Sequence, residues 1–95
     1  MNKRDIKKAE RIEKIRQIIE KMWDLIEFKY DGRYGNIDEY YYPEEKKRKY
    51  LLFFEGYAVL VESVDEVLYT PFIDGKSLSE VVKEIKMYNG QERIY

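Results

Sequence analysis

Two short apolar runs joined by a Glu-Gly pair constrain this chain most, because together they specify an antiparallel β-hairpin. The runs are residues 49–54 and 57–62, and both are rich in aromatic and β-branched side chains. Glu55-Gly56 between them has the composition of a two-residue hairpin turn. We therefore predict an antiparallel sheet that has this hairpin, residues 49–62, at its centre.

The first third of the chain has the spacing of a long amphipathic helix. Apolar side chains recur every three or four residues along one stripe: Ile12, Ile15, Ile19, Met22 and Ile26. Asn2 is a suitable N-cap, and Gly32 is a suitable residue for stopping the helix. The pattern predicts a helix over about residues 3–29.

Residues 31–42 predict a loop followed by a strand-like segment. Residues 31–36 combine two glycines with Asp and Asn, which is typical of a turn. The tyrosine-rich residues 36–42 have strand composition, but Pro43 and the acidic pair after it would end a strand there. We expect an edge strand or an irregular arm.

Two Ser-x-x-Glu sequences match the capping box, a pattern that begins helices. The second starts at Ser77 and leads into an apolar stripe that stops before Asn89-Gly90, so it predicts a C-terminal helix at about residues 78–88. The first starts at Ser63 and predicts one short helical turn, followed by an extended segment over residues 68–73.

These elements predict one α+β domain over residues 1–95, a length that suits a single small core. It would have a long N-terminal helix, an antiparallel sheet of three or four strands and a C-terminal helix, with both helices on one face of the sheet. Because no run approaches the roughly 18 apolar residues that a membrane span needs, we expect a cytoplasmic protein.

The residue inventory argues against catalysis. The chain contains no His and no Cys, which removes the usual general base, the thiol nucleophile and the commonest metal ligands. Its few serines lack the flanking residues of known nucleophile motifs, and no glycine-rich phosphate-binding motif is present. We therefore expect a binding protein and not an enzyme, with no cofactor and no metal.

Basic side chains are concentrated in two blocks. Six lie within the first 14 residues, and Lys46-Lys47-Arg48-Lys49 lies at the start of the hairpin. Such blocks can follow a phosphate backbone, so a small nucleic-acid-binding regulator is one alternative function. The net charge of -1 argues against this alternative, and lysines beside a strand commonly protect a sheet edge from aggregation.

An acidic and tyrosine-rich set of residues is the other candidate binding surface. Ten residues are tyrosine, which is more than a small core can hide, so some hydroxyls must face water or a partner. Tyrosine is enriched at interfaces, and clustered carboxylates steer basic partners. Alternatively, these tyrosines pack on the sheet and the carboxylates only keep the chain soluble. The candidate partner-binding residues are Asp31, Asp38, Glu39, Tyr40, Tyr42, Glu44, Glu45, Asp65, Glu66 and Asp74.

Three segments within about residues 50–85 carry a resemblance to a known group of proteins. They are residues 53–57 (Phe-Phe-Glu-Gly-Tyr), residues 63–68 (Ser-Val-Asp-Glu-Val-Leu) and the run from Pro71 to Ile85. This part of the chain resembles small bacterial immunity proteins of contact-dependent growth inhibition and related polymorphic toxin systems. The resemblance implies a cytosolic protein, encoded beside a toxin, that binds the toxin's C-terminal domain, often a nuclease, and blocks its active site or a neighbouring site.

We therefore expect an immunity protein whose acidic, tyrosine-bearing surface occupies a basic toxin domain by direct contact. A homo-oligomeric interaction subunit is a further alternative. A helix of about 27 residues would expose more apolar surface than a small sheet can cover, and a second copy could cover the rest.

Overall fold

The computed structural model describes residues 2–21 and 25–95, and these residues form an α+β fold. Within them, six antiparallel strands form one sheet in the order β4-β3-β2-β1-β5-β6. The predicted fold class is therefore confirmed, but the sheet has six strands where three or four were expected. The helices are α1 (Lys3–Lys21) and α2 (Val64–Tyr69), and the strands are β1 (Leu25–Tyr30), β2 (Arg33–Tyr42), β3 (Lys47–Phe54), β4 (Tyr57–Val61), β5 (Lys86–Asn89) and β6 (Glu92–Arg93).

The predicted N-terminal helix is too long. Residues 25–30 form β1, which pairs with β2 on one side and with β5 on the other. The segment alternates apolar and polar residues, and its Ile26 and Phe28 are buried on one face of the sheet. Because this period of two fits a strand, sheet pairing prevails over helix from Leu25 onwards. Met22, a predicted member of the helical stripe, lies outside the described residues.

Most side chains of the apolar stripe of α1 pack into the core of the molecule. Ile15 and Ile19 are fully buried, and Ile12 and Ile18 are half-buried against the same core. Ile6 near the start of the helix is exposed. Most of the described part of the stripe is therefore buried in the core, and the homo-oligomer expected from the sequence stays a prediction.

The predicted hairpin is confirmed, but its predicted central position is wrong. Glu55 and Gly56 both have positive φ, 49° and 78°, as a two-residue type I′ turn requires. The strand β4 lies at one edge of the sheet, whereas β2 and β1 occupy the middle. Residues 36–42 correspondingly belong to an interior strand, and not to an edge strand or an irregular arm.

Both predicted caps are present, but they begin shorter elements than expected. Ser63 Oγ accepts a hydrogen bond of 3.1 Å from the backbone N–H of Glu66 at the start of α2, and this helix continues to Tyr69, so the predicted extended segment begins only at Thr70. Ser77 precedes a single 3₁₀ turn, Leu78–Glu80.

The predicted helix over residues 78–88 is therefore wrong beyond its first turn. Residues 81–85 continue as turns that bury Val81, Val82 and Ile85, and residues 86–89 form β5. Met87 of β5 lies opposite Phe28 of β1, so the last part of the segment completes the sheet instead of covering it.

One buried cluster lies between the helices and one face of the sheet, which we call the inner face. Ile15 and Ile19 of α1 and Val67 and Leu68 of α2 pack there with the inward-facing side chains of the strands. The inner-face strand residues in this core are Ile26, Phe28, Ile37, Tyr50, Leu52, Phe54, Val61 and Met87. No helix in the described part of the chain has the length and apolar character needed to cross a membrane.

Candidate protein-binding surface

The face of the sheet opposite the core, which we call the outer face, is exposed. Strand pairing places Leu25, Asp38, Leu51 and Leu60 in one row across four strands of this face. Six large hydrophobic side chains of the outer face are between 37 and 60% exposed, whereas the described helices pack on the inner face. They are Leu25, Tyr34, Tyr40, Tyr42, Phe53 and Leu60.

Three of the predicted partner-binding residues lie together on this face. Because side chains alternate along a strand, Asp38, Tyr40 and Tyr42 share the outer face at the C-terminal end of β2. The hydroxyl of Tyr40 donates a hydrogen bond of 3.4 Å to Asp38 Oδ2. We call these three residues the tyrosine end of β2.

Glu39, a fourth predicted residue, points to the other side of the same strand. Its side chain is only 9% exposed, and its Oε1 lies 3.3 Å from Arg48 Nε. Arg48 also donates to the backbone carbonyl of Glu20, with 3.2 Å between the two atoms. Glu39 Oε2 is buried and has no hydrogen-bond partner among the described residues. Through Arg48, Glu39 therefore helps to fix α1 on the sheet.

Basic side chains lie directly beside the acidic residues at this end of the sheet. Lys49 Nζ lies 3.1 Å from Glu45 Oε2, 3.6 Å from a carboxylate oxygen of Glu62 and 4.7 Å from the centre of the Tyr42 ring. The hydrogen bond with Glu45 is the main reason why the pKa of Lys49 is raised. Lys49 thus compensates a carboxylate that the sequence assigned to partner binding.

The pairing of β2 with β3 places acidic and basic side chains next to one another throughout residues 38–49. Residues 38–45 carry four carboxylates, and residues 46–49 carry four basic side chains. Tyr40 lies opposite Lys49, and Tyr42 lies opposite Lys47. Glu44 lies in the turn between the two strands. The surface is consequently mixed in charge, and Arg48 and Lys49 of the basic block are already engaged in ion pairs.

Asp31 and Asp74 lie at the opposite end of the sheet, where both contact Arg33. Two nitrogens of Arg33 bind the two carboxylate oxygens of Asp74, and Arg33 Nη2 lies 3.5 Å from Asp31 Oδ2. The hydrogen bonds from Arg33 are the main cause of the lowered pKa of Asp74. Since Arg33 and Tyr42 are the two ends of a ten-residue strand, about 30 Å separates this group from the tyrosine end.

Asp65 and Glu66 have local partners on α2. Asp65 Oδ1 lies 2.6 Å from Arg16 Nη1 and so joins α2 to α1. The carboxylate of Glu66 accepts a hydrogen bond of 3.4 Å from the hydroxyl of its cap, Ser63. The ten predicted residues therefore lie in three separate regions: residues 38–45 at one end of the sheet, Asp31 and Asp74 around Arg33 at the other end, and Asp65 and Glu66 on α2.

Sequence reasoning missed the apolar part of the outer face. Phe53 and Leu60 lie on alternate positions of the predicted hairpin. Residues 50–54 and 57–61 are apolar throughout, so the exposed set of positions is marked only by Lys49 and Glu62 at the ends of the two runs, which share a face with Phe53 and Leu60. Leu25 and Tyr34 were missed because β1 was interpreted as helix and residues 31–36 as loop. With β1 and β2 recognised as strands, their alternation would have placed both side chains on this face.

Residues 2–21 and 25–95 contain no group of three acidic side chains that could hold a metal ion. A cavity of about 330 Å³ beside the β3–β4 turn has apolar walls that include Phe54, Tyr57 and Phe72, and its Asp74 is paired with Arg33. Comparison with known proteins gives no relative: no family model, no curated protein and no solved structure matches this chain.

Proposed function

We propose that this chain is an immunity protein that binds a cognate bacterial toxin domain through the outer face of strands β1, β2 and β3. The observation that carries the binding role is the set of five large hydrophobic side chains exposed on that face in β1, β2 and β3; the sixth, Leu60, lies on the edge strand β4 and is not part of this surface. The resemblance of residues 50–85 to immunity proteins supplies the class of partner, with a nuclease domain as the favoured toxin and the cytoplasm as the place of action.

The composition of the outer face suits a protein partner. Contiguous exposed apolar surface on a small domain commonly marks an interaction site, and aromatic side chains supply most of the energy at such sites. Tyr40 and Tyr42 offer large rigid rings, while Asp38 beside them offers a carboxylate. The tyrosine end of β2 therefore combines two aromatic anchors with an acceptor for a basic group.

The mixed charge of this region favours specificity over long-range attraction. Because Lys47 and Lys49 flank the tyrosines across the β2–β3 pairing, a uniformly basic toxin surface would meet repulsion as well as attraction. We infer that the toxin presents a basic side chain towards Asp38 and apolar or acidic groups towards the lysines. Long-range attraction of a basic toxin by the carboxylates, which the sequence suggested, therefore contributes less to binding in this proposal.

The first experiment is co-expression of the chain with the C-terminal domain of a toxin encoded beside its gene. We expect the chain to restore host growth and to co-purify with the toxin domain in a stoichiometric complex. Toxicity without protection or binding would overturn the proposal. Retardation of DNA or RNA that depends on residues 46–49 would instead support the nucleic-acid alternative.

A matched pair of variants tests the surface. The double change Tyr40→Ala and Tyr42→Ala should weaken toxin binding by about 100-fold or more, because two aromatic anchors are lost. Tyr41→Ala is the control, since Tyr41 lies on the same strand, is 59% exposed and points to the opposite side. Equal losses in the two proteins would show that the tyrosine end is not the contact surface.

A further inference from the structure

The two edges of the sheet differ in how they are protected. The edge strand β6 has two residues, and both are charged. The edge strand β4 has five consecutive uncharged residues, Tyr57–Val61, with no proline. Sheet edges are usually protected by charged side chains, prolines, bulges or short length. The strand β4 contains neither a charged side chain nor a proline. In the described part of the chain, no strand pairs with β4 on its open side.

The hairpin register shows which main-chain groups of β4 face this open side. In a two-residue hairpin the pair that closes the turn, here Phe54 and Tyr57, exchanges both hydrogen bonds, and such pairs then alternate along the ladder. The N–H and C=O groups of Tyr57, Val59 and Val61 consequently point to β3. Those of Ala58 and Leu60 point away from the sheet.

We propose that β4 pairs in an antiparallel arrangement with β4 of a second copy of this chain. With a two-fold axis at Val59, Ala58 lies opposite the partner's Leu60, and Leu60 lies opposite the partner's Ala58. Each of these two pairs exchanges both of its hydrogen bonds, so the four outward-facing groups of each copy are satisfied. The two sheets then form one continuous sheet with an isologous interface.

The side chains of β4 match this two-fold arrangement. On the outer face, the small Ala58 meets the large Leu60 of the partner subunit, and this contact continues the row that contains Leu51. At the ends of the strand, Glu62 faces the partner's Gly56, so no two carboxylates oppose each other directly. A strand of unrelated sequence would not generally reproduce this match, which favours a second copy as the occupant.

The oligomeric state of the isolated chain tests this inference and does not depend on the proposed toxin binding. In sedimentation equilibrium, we expect the full chain to be a dimer at about 100 µM. Its average mass should fall towards that of the monomer on dilution, as mass action requires. Leu60→Lys should raise the dissociation constant by about 30-fold or more, since it places a charge at an apolar edge. Leu60 is 48% exposed, so this variant should keep its fold, which urea denaturation will verify.

Leu25→Lys is the matched control, because it makes the same change in the same row of the outer face but on β1, three strands from the edge. It should leave the dimer intact. A monomer at all concentrations, or a dimer that Leu60→Lys leaves unchanged, would overturn the proposal.

A cysteine placed at the two-fold axis tests the register. The chain has no cysteine of its own, so Val59→Cys introduces a single thiol. Opposed residues of a non-hydrogen-bonded pair have Cα atoms about 4.5 Å apart, which permits a disulfide. Under mild oxidation, Val59→Cys should therefore form a covalent dimer at least about tenfold faster than Leu60→Cys, whose thiol faces Ala58 of the partner subunit. Equal rates would contradict this register.

Discussion

Gly35 is the residue at which a single added methyl group should disturb the core most. A Cβ there would overlap the ring of Phe28 and lie 2.6 Å from the carbonyl oxygen of Phe53. The Phe28 ring has little room to move, because it stacks on Phe54 with 5.9 Å between the ring centres. We expect Gly35→Ala to lower the free energy of unfolding by about 2 kcal/mol, as overpacking does, in urea denaturation. Tyr34→Ala, on the exposed outer face, should change it by less than about 0.5 kcal/mol.

The pairing of Asp74 with Arg33 should make stability depend on pH in a defined direction. The pKa of Asp74 is lowered in the folded chain, so the ion pair stabilises the fold at pH values above the unfolded pKa of about 3.9. This contribution is lost as the pH falls through the folded pKa. Asp74→Asn should therefore destabilise the chain at neutral pH, and its effect should be smaller at pH 2. Urea denaturation at both pH values measures this, and an equal effect at both would contradict it.

At the scale of elements, α2 is a short helix that should depend strongly on its cap. The helix has six residues, and Ser63 satisfies one of its free backbone N–H groups. We expect Ser63→Ala to lower the free energy of unfolding by about 0.5 to 2 kcal/mol, because that donor loses its partner. Ser63→Asp keeps a side-chain acceptor and should retain most of the stability. Thermal unfolding of the two variants compares them directly, and equal losses would show that the side-chain acceptor at residue 63 is not what stabilises α2.

Local signals made some elements predictable, and long-range pairing decided the others. The hairpin at Glu55-Gly56 and the cap at Ser63 depend on neighbouring residues, so their sequence patterns were sufficient. Ile26 continues the spacing of α1 and also fits the alternation of β1, so its sequence alone does not separate helix from strand. What decides is the pairing of Phe28 with Met87, which is distant in sequence and could not be expected from either segment.

The same distinction applies to the candidate surface. Alternation along β2 makes the grouping of Asp38, Tyr40 and Tyr42 readable from sequence once that segment is known to be a strand. The partner of Asp65, by contrast, is Arg16 on another helix, and its ion pair exists only because α1 and α2 meet on the inner face. A list of acidic residues therefore overestimates the number of carboxylates that are available to a partner, since several of them already form ion pairs within the fold.

At the scale of the whole molecule, the proposed toxin-binding surface and the proposed dimer interface lie at different places on one sheet. The strands β2 and β4 are two positions apart, which corresponds to about 10 Å, and the tyrosine end lies near one end of β2. In the two-fold dimer the tyrosine ends of the two copies point in opposite directions, because the paired β4 strands are antiparallel. A toxin domain and a second copy of the chain can therefore be bound at the same time.

This geometry predicts a complex of two chains with two toxin domains. Leu60→Lys should reduce the complex to one chain with one toxin domain while leaving the affinity of each site within about threefold, since the tyrosine end is unchanged. The double change Tyr40→Ala and Tyr42→Ala should do the reverse and remove the toxin from a dimer that stays intact. Light scattering during size-exclusion chromatography gives the masses of both complexes. Loss of toxin binding in Leu60→Lys would mean that the toxin contacts the β4 edge, and the two surfaces would then have to be treated as one.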